Sequence, residues 1–189
     1  MGKSLEYFLV KRAQAGEIKA FAELVEKNKK KIYSLILNLT GSYHDADDLS
    51  QETFLRAYRS LGSFKASSSF YTWLYRIAIN TTINYLKKQK RLSEVPLNVK
   101  LSSPVERQTL VKEEESPREK LQKKELRETI RKTITELPIN QRLAATLVIL
   151  EGISYEEAAR VLRCPKGTLS WRLFQARKAL VRQLRDYFE

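Results

Sequence analysis

Apolar residues recur every three or four positions along most of this 189-residue chain. That spacing gathers them on one side of an α-helix, and the strict alternation typical of a half-buried strand is absent. Only six glycines and five prolines are available to end or kink such helices. The sequence therefore predicts an all-α fold.

Breaks in the periodicity predict where the helices begin and end. Gly16 and Gly41 are typical of helix ends, and Ser42 followed by Asp45 is typical of a helix start. Pro138 separates two further helices. The expected helices cover about residues 5–16, 17–39, 42–60, 70–91, 121–137 and 139–150, followed by two more after residue 154.

One long segment lacks helical spacing. Residues 93–117 contain three prolines, several serines and the run Glu113–Glu115, a composition typical of a flexible linker. The chain is therefore predicted to hold two small helical domains, residues 1–92 and 118–189, joined by this linker.

The charge distribution points to a polyanionic partner. The chain carries 35 Lys and Arg against 22 Asp and Glu, a net charge of +13. Residues 1–92 carry +8 and residues 118–189 carry +7, whereas residues 93–117 carry −2. Two basic domains flanking an acidic linker fit nucleic acid, an acidic protein or an anionic membrane as partner.

Several protein classes are excluded by composition. With a single cysteine, Cys164, and a single histidine, His44, neither an internal disulfide nor a Cys/His zinc site can form. No apolar run reaches the roughly 20 residues that span a bilayer, and charges interrupt the N-terminus too early for a signal peptide. We expect a cytoplasmic protein that is not inserted in a membrane and needs no cofactor.

The predicted helix over residues 70–91 has two unlike halves. Its first half is aromatic and apolar nearly all round, and its second half is polar with a cationic end. Two interpretations remain open. The basic end complements the helix dipole above a buried aromatic half, or the asparagines, cations and aromatics together bind single-stranded or melting DNA.

A helix-turn-helix is predicted near the C-terminus. Ser154 and Glu157 form a capping box, and Pro165 suits the first turn of the next helix. That second helix has a core stripe and an opposite basic face that includes Trp171 and Phe174. The alternative to a DNA-reading unit is an ordinary αα-hairpin within a helical bundle.

Four stretches carry a resemblance to a known family: DADDLSQETFLRAYRSLGSF (45–64), FYTWLYRIAINTTINYL (70–86), LPINQRLAATLVILEGISYEEAA (137–159) and GTLSWRLFQARKAL (167–180). They resemble the extracytoplasmic-function (ECF) group of bacterial RNA polymerase sigma factors, of the envelope-stress sigma-E type. The resemblance implies a non-enzymatic subunit that binds core RNA polymerase and directs promoter-specific transcription initiation, in a stress response. It also implies an anti-sigma factor as a partner. Because the chain has no leucine-zipper heptad, we expect no self-oligomer.

The resemblance assigns a docking surface on the third helix. It would contact the clamp helices of the largest polymerase subunit, while the C-terminal domain would contact the flap of the second-largest subunit. The alternatives for the acidic groups here are a complement to the helix dipole or a carboxylate metal site at Asp45, Asp48 and Glu52. The assigned core-binding residues are Asp48, Gln51, Glu52, Leu55 and Arg56.

The resemblance also assigns recognition of the −10 promoter element to a loop and the helix after it. In the family, a base of the non-template strand is flipped into a pocket between them, a step that costs a few kcal/mol of unstacking. The assigned residues are Ser63, Phe64, Lys65, Asn80, Asn84, Lys87, Lys88 and Arg91.

Recognition of the −35 element is assigned to the helix-turn-helix, where the chain departs from the family pattern. Ser170 and Trp171 stand where a basic residue and Ser are common, and Gln175 stands where Arg is common. Lys65-Ala66-Ser67 likewise replaces a frequent Arg-Gly-Asp in the −10 loop. The assigned −35 residues are Lys166, Thr168, Ser170, Trp171, Arg172, Phe174, Gln175, Arg177 and Lys178.

Three questions remain open from the sequence. The linker would lie along a polymerase channel, or it is a solvated tether. An autonomous helix-turn-helix regulator that binds palindromic sites as a dimer is a rival function, and a carboxylate-metal nuclease is a more distant one.

Overall fold

The computed structural model describes residues 2–93 and 117–185. These residues form eight α-helices and no strand, which confirms the all-α prediction for the described part of the chain. Residues 94–116 of the predicted linker lie outside the described ranges. The helices are α1 (Gly2–Gln14), α2 (Ile18–Thr40), α3 (Tyr43–Ser60), α4 (Phe70–Ser93), α5 (Pro117–Glu136), α6 (Ile139–Ala145), α7 (Tyr155–Leu162) and α8 (Lys166–Leu184).

The junction between α2 and α3 forms as the sequence predicts. Gly41 adopts the left-handed conformation (φ 73°), and its N–H donates to the Leu37 carbonyl at 2.8 Å, which ends α2. The Ser42 hydroxyl then accepts a hydrogen bond of 3.2 Å from the Asp45 N–H and caps α3.

The C-terminal half contains the predicted helix-turn-helix. The Ser154 hydroxyl accepts from the Glu157 N–H at 3.3 Å and caps α7. Arg163 adopts the left-handed conformation (φ 50°) and ends α7, after which Pro165 precedes the first turn of α8.

The helix expected over residues 139–150 is not regular. It changes at Thr146–Leu150 into a π-helical turn, in which the Glu151 N–H bonds the Thr146 carbonyl at 2.9 Å. The hydrogen bond of this wider turn spans five residues, one more than in an α-helix, and the turn ends directly before Glu151.

One hydrophobic core runs through both halves of the described chain. α2 contributes the fully buried Ile32, Leu35, Ile36 and Leu39, and the same core continues into α6, α7 and α8. A smaller cluster between α5, α6 and α8 includes Ile134 and Leu180. The two domains therefore pack against each other.

Polar side chains also cross between the domains. Thr72 on α4 donates to the Glu157 carboxylate at 3.1 Å, and an Arg76 guanidinium nitrogen donates to the Arg160 carbonyl at 2.7 Å. From the C-terminal side, Arg142 donates to the Leu39 carbonyl at 3.0 Å. No helix within the described ranges has the length and apolar content needed to cross a lipid bilayer.

Candidate DNA-binding and docking surfaces

An aromatic cluster joins the two ends of the loop between α3 and α4. A 3₁₀ turn at Leu61–Ser63 leads into Phe64, whose ring meets Phe70 edge-on at 6.0 Å and lies 5.1 Å from the Trp73 ring. Phe70 is buried, whereas Phe64 and Trp73 remain partly exposed. The cluster holds both ends of the loop together and leaves aromatic surface facing solvent beside it.

The polar face of α4 continues from this cluster. Trp73 precedes Asn80 by seven residues, so the two lie on the same side of the helix about 10 Å apart along its axis. Asn80, Asn84, Lys87 and Lys88 are all exposed. The structure thus places these four predicted residues on one helix face, next to the aromatic cluster.

The remaining predicted −10 residues lie in the loop and at the end of α4. The Ser63 hydroxyl donates to the Ser60 carbonyl at 2.7 Å, and Lys65 is exposed. Ala66 has a positive φ of 54°, which turns the chain sharply after Lys65. Arg91 belongs to α4, but its side chain lies outside the described ones.

The second helix of the helix-turn-helix presents a mixed aromatic and basic face. Its core side holds Leu169, Leu173 and Ala176, all buried. On the opposite side Trp171 and Phe174 are 60% and 62% exposed, which is unusual for aromatic side chains on a merely solvated face. The predicted −35 residues Ser170, Arg177 and Lys178 are also exposed, whereas Thr168, Arg172 and Gln175 are partly buried.

Lys166 differs from the other predicted −35 residues because its ammonium group pairs with the Glu156 carboxylate at the start of α7. The hydrogen bond from Lys166 lowers the pKa of Glu156 below its usual value. In this conformation Lys166 therefore has a carboxylate partner that a DNA phosphate would have to replace.

The predicted docking face on α3 is exposed, opposite the buried Ala46, Leu49, Thr53 and Ala57. Leu55 is 57% exposed, and Asp48 and Gln51 point outward beside it. Arg56 donates to Glu52 at 2.9 Å, one turn earlier on the same helix. Within the ranges described, no three or more His, Cys, Asp or Glu side chains are grouped as a metal site would require.

Two apolar grooves lie beside these surfaces and were not foreseen from the sequence. One, of about 360 Å³, is lined by Val25, Tyr33, Phe54 and Gln51 between α2 and α3. The other, of about 830 Å³, lies on the C-terminal domain. It is lined by Val148, Ile149, Arg177, Leu180, Val181, Leu184 and Arg185. The sequence offered one indication of the second groove, because Val181 is an apolar residue outside the core stripe of α8. In the structure its side chain is 71% exposed.

Comparison with known families now identifies the two domains. Residues 24–92 match the family model for sigma-70 region 2, and residues 127–180 match that for sigma-70 region 4. The chain is 42% identical to the ECF RNA polymerase sigma-E factor of Escherichia coli over 173 residues, which cover 91% of this chain and 90% of the relative. The chain belongs to the ECF group of RNA polymerase sigma factors.

Further comparisons agree with this membership. The RNA polymerase sigma-H factor of Pseudomonas aeruginosa is 41% identical over 177 residues, covering 93% of this chain and 92% of the relative. A solved structure of the sigma factor RpoE from Bartonella quintana, in complex with the anti-sigma factor NepR, matches with a TM-score of 0.70 at 24% identity. It covers 88% of this chain and 98% of that one, and this likeness concerns the fold.

Membership settles several predictions made from the sequence. The resemblance to ECF sigma factors, the role in promoter-specific transcription initiation and the non-enzymatic nature of the chain are confirmed. The region 2 match contains the exposed face of α3 and nearly all of α4, and the region 4 match contains the helix-turn-helix. The roles of the individual residues in this sigma factor remain proposals.

Proposed function

We propose that residues 1–92 of this sigma factor dock on core RNA polymerase and capture the −10 element, while residues 118–189 read the −35 element. Residues 93–117 would connect them. The observation that carries this proposal is the aromatic cluster around Phe64 and Trp73 together with the exposed asparagines and lysines on the same helix, α4. Aromatic and cationic groups are the two kinds that bind a displaced strand, and the amides add groups that can read a base edge.

On the −10 surface each kind of group has a separate task. Phe64 and Trp73 offer partly exposed rings against which an unstacked base can pack. Asn80 supplies an amide donor and an acceptor for a base edge. Lys87 and Lys88, two turns further along α4, neutralise backbone phosphates.

On the −35 surface, α8 would enter the major groove with its N-terminal half. Exposed Trp171 and Phe174 suit apolar contact with thymine methyl groups or sugars. Gln175 favours a bidentate pair with adenine, in contrast to the guanine preferred by arginine. We therefore propose that the −35 sequence preferred by this sigma factor differs from the one preferred by relatives with arginine at this position.

Docking on core polymerase would use the apolar and charged groups left exposed on both domains. Leu55, flanked by Asp48 and Gln51, offers a small apolar anchor with a polar rim for the clamp helices. The larger groove, around Ile149 and Val181, offers an apolar surface to which the flap can bind. Burying Val181 there would remove its exposed surface from water.

The cellular setting follows from the group to which the chain belongs. We propose that it acts in the cytoplasm in a stress response. We also propose that an anti-sigma factor restrains it by covering its polymerase-docking surfaces. The Bartonella quintana sigma factor, solved together with the anti-sigma factor NepR, supports the second point by analogy.

Binding to core polymerase and −10 capture can be tested together. The full chain should co-elute with core RNA polymerase in gel filtration, and Leu55→Asp should weaken this association. Asn80→Ala should leave co-elution and −35 duplex binding unchanged but relax selectivity at one −10 base. Dimeric DNA binding without polymerase, or an unchanged −10 preference in Asn80→Ala, would contradict the proposal.

A further inference from the structure

The last residue of α1 holds the start of the proposed −10 loop. The Gln14 side-chain amide donates one hydrogen bond of 2.9 Å to the Leu61 carbonyl and another of 2.9 Å to the Phe64 carbonyl. These partners lie 47 and 50 residues further along the chain. One side chain thus joins α1 to both ends of the 3₁₀ turn that leads into the loop.

The two bonds act directly on the backbone of Phe64. Its N–H donates to the Leu61 carbonyl at 3.1 Å, so Gln14 and Phe64 share that acceptor. Its carbonyl is bound by Gln14, and its ring rests on Phe70 and Trp73. Phe64 is therefore held on its backbone by Gln14 and at its ring by α4, immediately before the irregular segment that contains Lys65 and Ala66.

Gln14 is itself firmly placed. Its neighbours Val10 and Ala13 on α1 are buried in the core. Just beyond it, Gly16 adopts a left-handed conformation (φ 94°), and the Arg12 Nε donates to the Glu17 carboxylate at 2.6 Å across the corner. The buried neighbours and the Arg12–Glu17 contact therefore fix the end of α1 that carries the Gln14 amide.

We propose that Gln14 is a positioning residue for −10 strand capture: it fixes the Phe64 carbonyl so that the Phe64 ring forms a preorganised wall for the captured base. Gln14 needs no contact with DNA for this. The inference rests on the proposed −10 function of the loop and α4, and adds a residue that lies before the region 2 match begins at residue 24. Preorganisation lowers the ordering cost paid when the strand binds.

Three substitutions separate donor loss from loss of bulk. Gln14→Met keeps an unbranched side chain but removes both donors. Gln14→Glu replaces the donors with an acceptor that repels the two carbonyls, whereas Gln14→Lys retains N–H donors. Gln183→Met, at an exposed position of α8, is the matched control.

The main measurement is a ratio of two affinities of the holoenzyme, which is core polymerase with this sigma factor bound. One affinity is for a −10 non-template oligonucleotide, and the other is for the same strand with one base changed. We expect Gln14→Met and Gln14→Glu to lower this ratio about tenfold, while Gln14→Lys and Gln183→Met stay within about twofold of the parent. Core association and −35 duplex affinity should stay unchanged in all four variants. The added positive charge of lysine should strengthen binding to both oligonucleotides equally, so it should cancel in the ratio of the two affinities.

A spectroscopic readout follows the loop itself. The chain has two tryptophans, so in a Trp171→Phe background Trp73 is the sole tryptophan and reports on the ring beside it. Gln14→Met should make Trp73 fluorescence more accessible to acrylamide in the folded free chain. A residue that only adds stability would not change this accessibility below the unfolding transition.

The outcomes distinguish this inference from the function on which it rests. Loss of discrimination in Phe64→Ala and Asn80→Ala, but not in Gln14→Met or Gln14→Glu, would overturn the inference and leave the −10 assignment standing. Unchanged discrimination in Phe64→Ala and Asn80→Ala would overturn both. If Gln14→Met does not fold, the comparison of Gln14→Lys with Gln14→Glu decides, and equal ratios would reject the role of the donors.

Discussion

The Tyr75 hydroxyl on α4 donates a hydrogen bond of 3.2 Å to Glu151 Oε2, and this bond joins the two domains. The other carboxylate oxygen accepts from Ser34 at 3.0 Å and from Asn38 at 3.1 Å, both on α2. The π-helical turn that ends at Leu150 brings Glu151 to this position. A single carboxylate of region 4 is therefore bound by three donors of region 2.

Removing this carboxylate should loosen the packed arrangement. Glu151→Ala leaves the Ser34, Asn38 and Tyr75 donors without their shared acceptor, so we expect a loss of about 1–3 kcal/mol in the free energy of unfolding. Urea denaturation of the free chain measures it. Glu156→Ala, which removes a carboxylate from an exposed ion pair, is the control and should cost clearly less than Glu151→Ala. Equal losses in the two variants would contradict the role given to Glu151.

The packed arrangement must open on a promoter if each domain reads its proposed element. Positions −10 and −35 lie about 25 base pairs apart, roughly 85 Å along B-DNA at 3.4 Å per base pair. A compact chain of this length has a radius of gyration of only about 16 Å. The contacts of Glu151, Glu157 and Arg142 with region 2 should therefore break in the promoter complex.

Energy transfer between two dyes can follow this opening. Glu23→Cys on α2 and Gln183→Cys on α8, both at exposed positions, supply the labelling sites in a Cys164→Ser background. Transfer should be efficient in the free chain and should fall sharply once core polymerase and promoter DNA are added. Transfer that stays high in a transcribing complex would show that the domains remain packed.

The stability of the sigma factor should fall at alkaline pH, partly through Tyr75. Burial, and next a hydrogen bond with Tyr71, raise the Tyr75 pKa well above the ordinary tyrosine value of about 10. The unfolded chain therefore loses this proton before the folded chain does. The resulting loss begins as pH rises past about 10 and approaches about 1.4 kcal/mol per pH unit for this group.

Tyr75→Phe separates this contribution from the rest. The variant should be less stable by about 1 kcal/mol at pH 7, because the bond to Glu151 is lost. It should then lose stability less steeply than the parent between pH 10 and 12. Part of the slope should remain, since burial also raises the pKa of Tyr71 and of Tyr85. If the denaturation midpoints of the parent and of Tyr75→Phe fall equally between pH 10 and 12, Tyr75 does not contribute to the alkaline loss of stability.

The choice of base at the −35 element should follow the residue at position 175. Gln175→Arg should move the preferred base at one position from adenine toward guanine, by about 1–3 kcal/mol or roughly 5- to 150-fold. Binding to a library of −35 duplexes measures the shift. Lys178→Ala serves as the comparison: it should weaken all sequences alike and reduce the salt dependence. A uniform effect of Gln175→Arg on every sequence would mean that this residue does not read a base.

Features that depend on local chemistry could be predicted from the sequence. Gly41, Ser42 and Ser154 act within one helical turn, so their residue types indicated the helix ends correctly. The buried stripes of α3 and α8 likewise follow from periodicity alone. The recognisable motifs of regions 2 and 4 supplied the family.

Features that join distant residues could not be predicted. Gln14 has the appearance of an ordinary polar residue at a helix end, because its partners lie about 50 residues away. The Tyr75–Glu151 bond depends on how two domains pack, and nothing in the apolar Thr146–Leu150 segment distinguishes a π-helical turn from a regular helix. The second groove was missed because Val181 resembled one stray apolar residue.

Transcription in vitro from a randomised promoter library tests the central claim most directly. Core RNA polymerase supplemented with this chain should start RNA at discrete positions, downstream of enriched −10 and −35 sequences held at a fixed spacing. Asn80→Ala should alter the enriched −10 sequence, and Gln175→Arg should alter the enriched −35 sequence. RNA ends identical to those of core polymerase alone, with no enriched sequence upstream, would contradict the account.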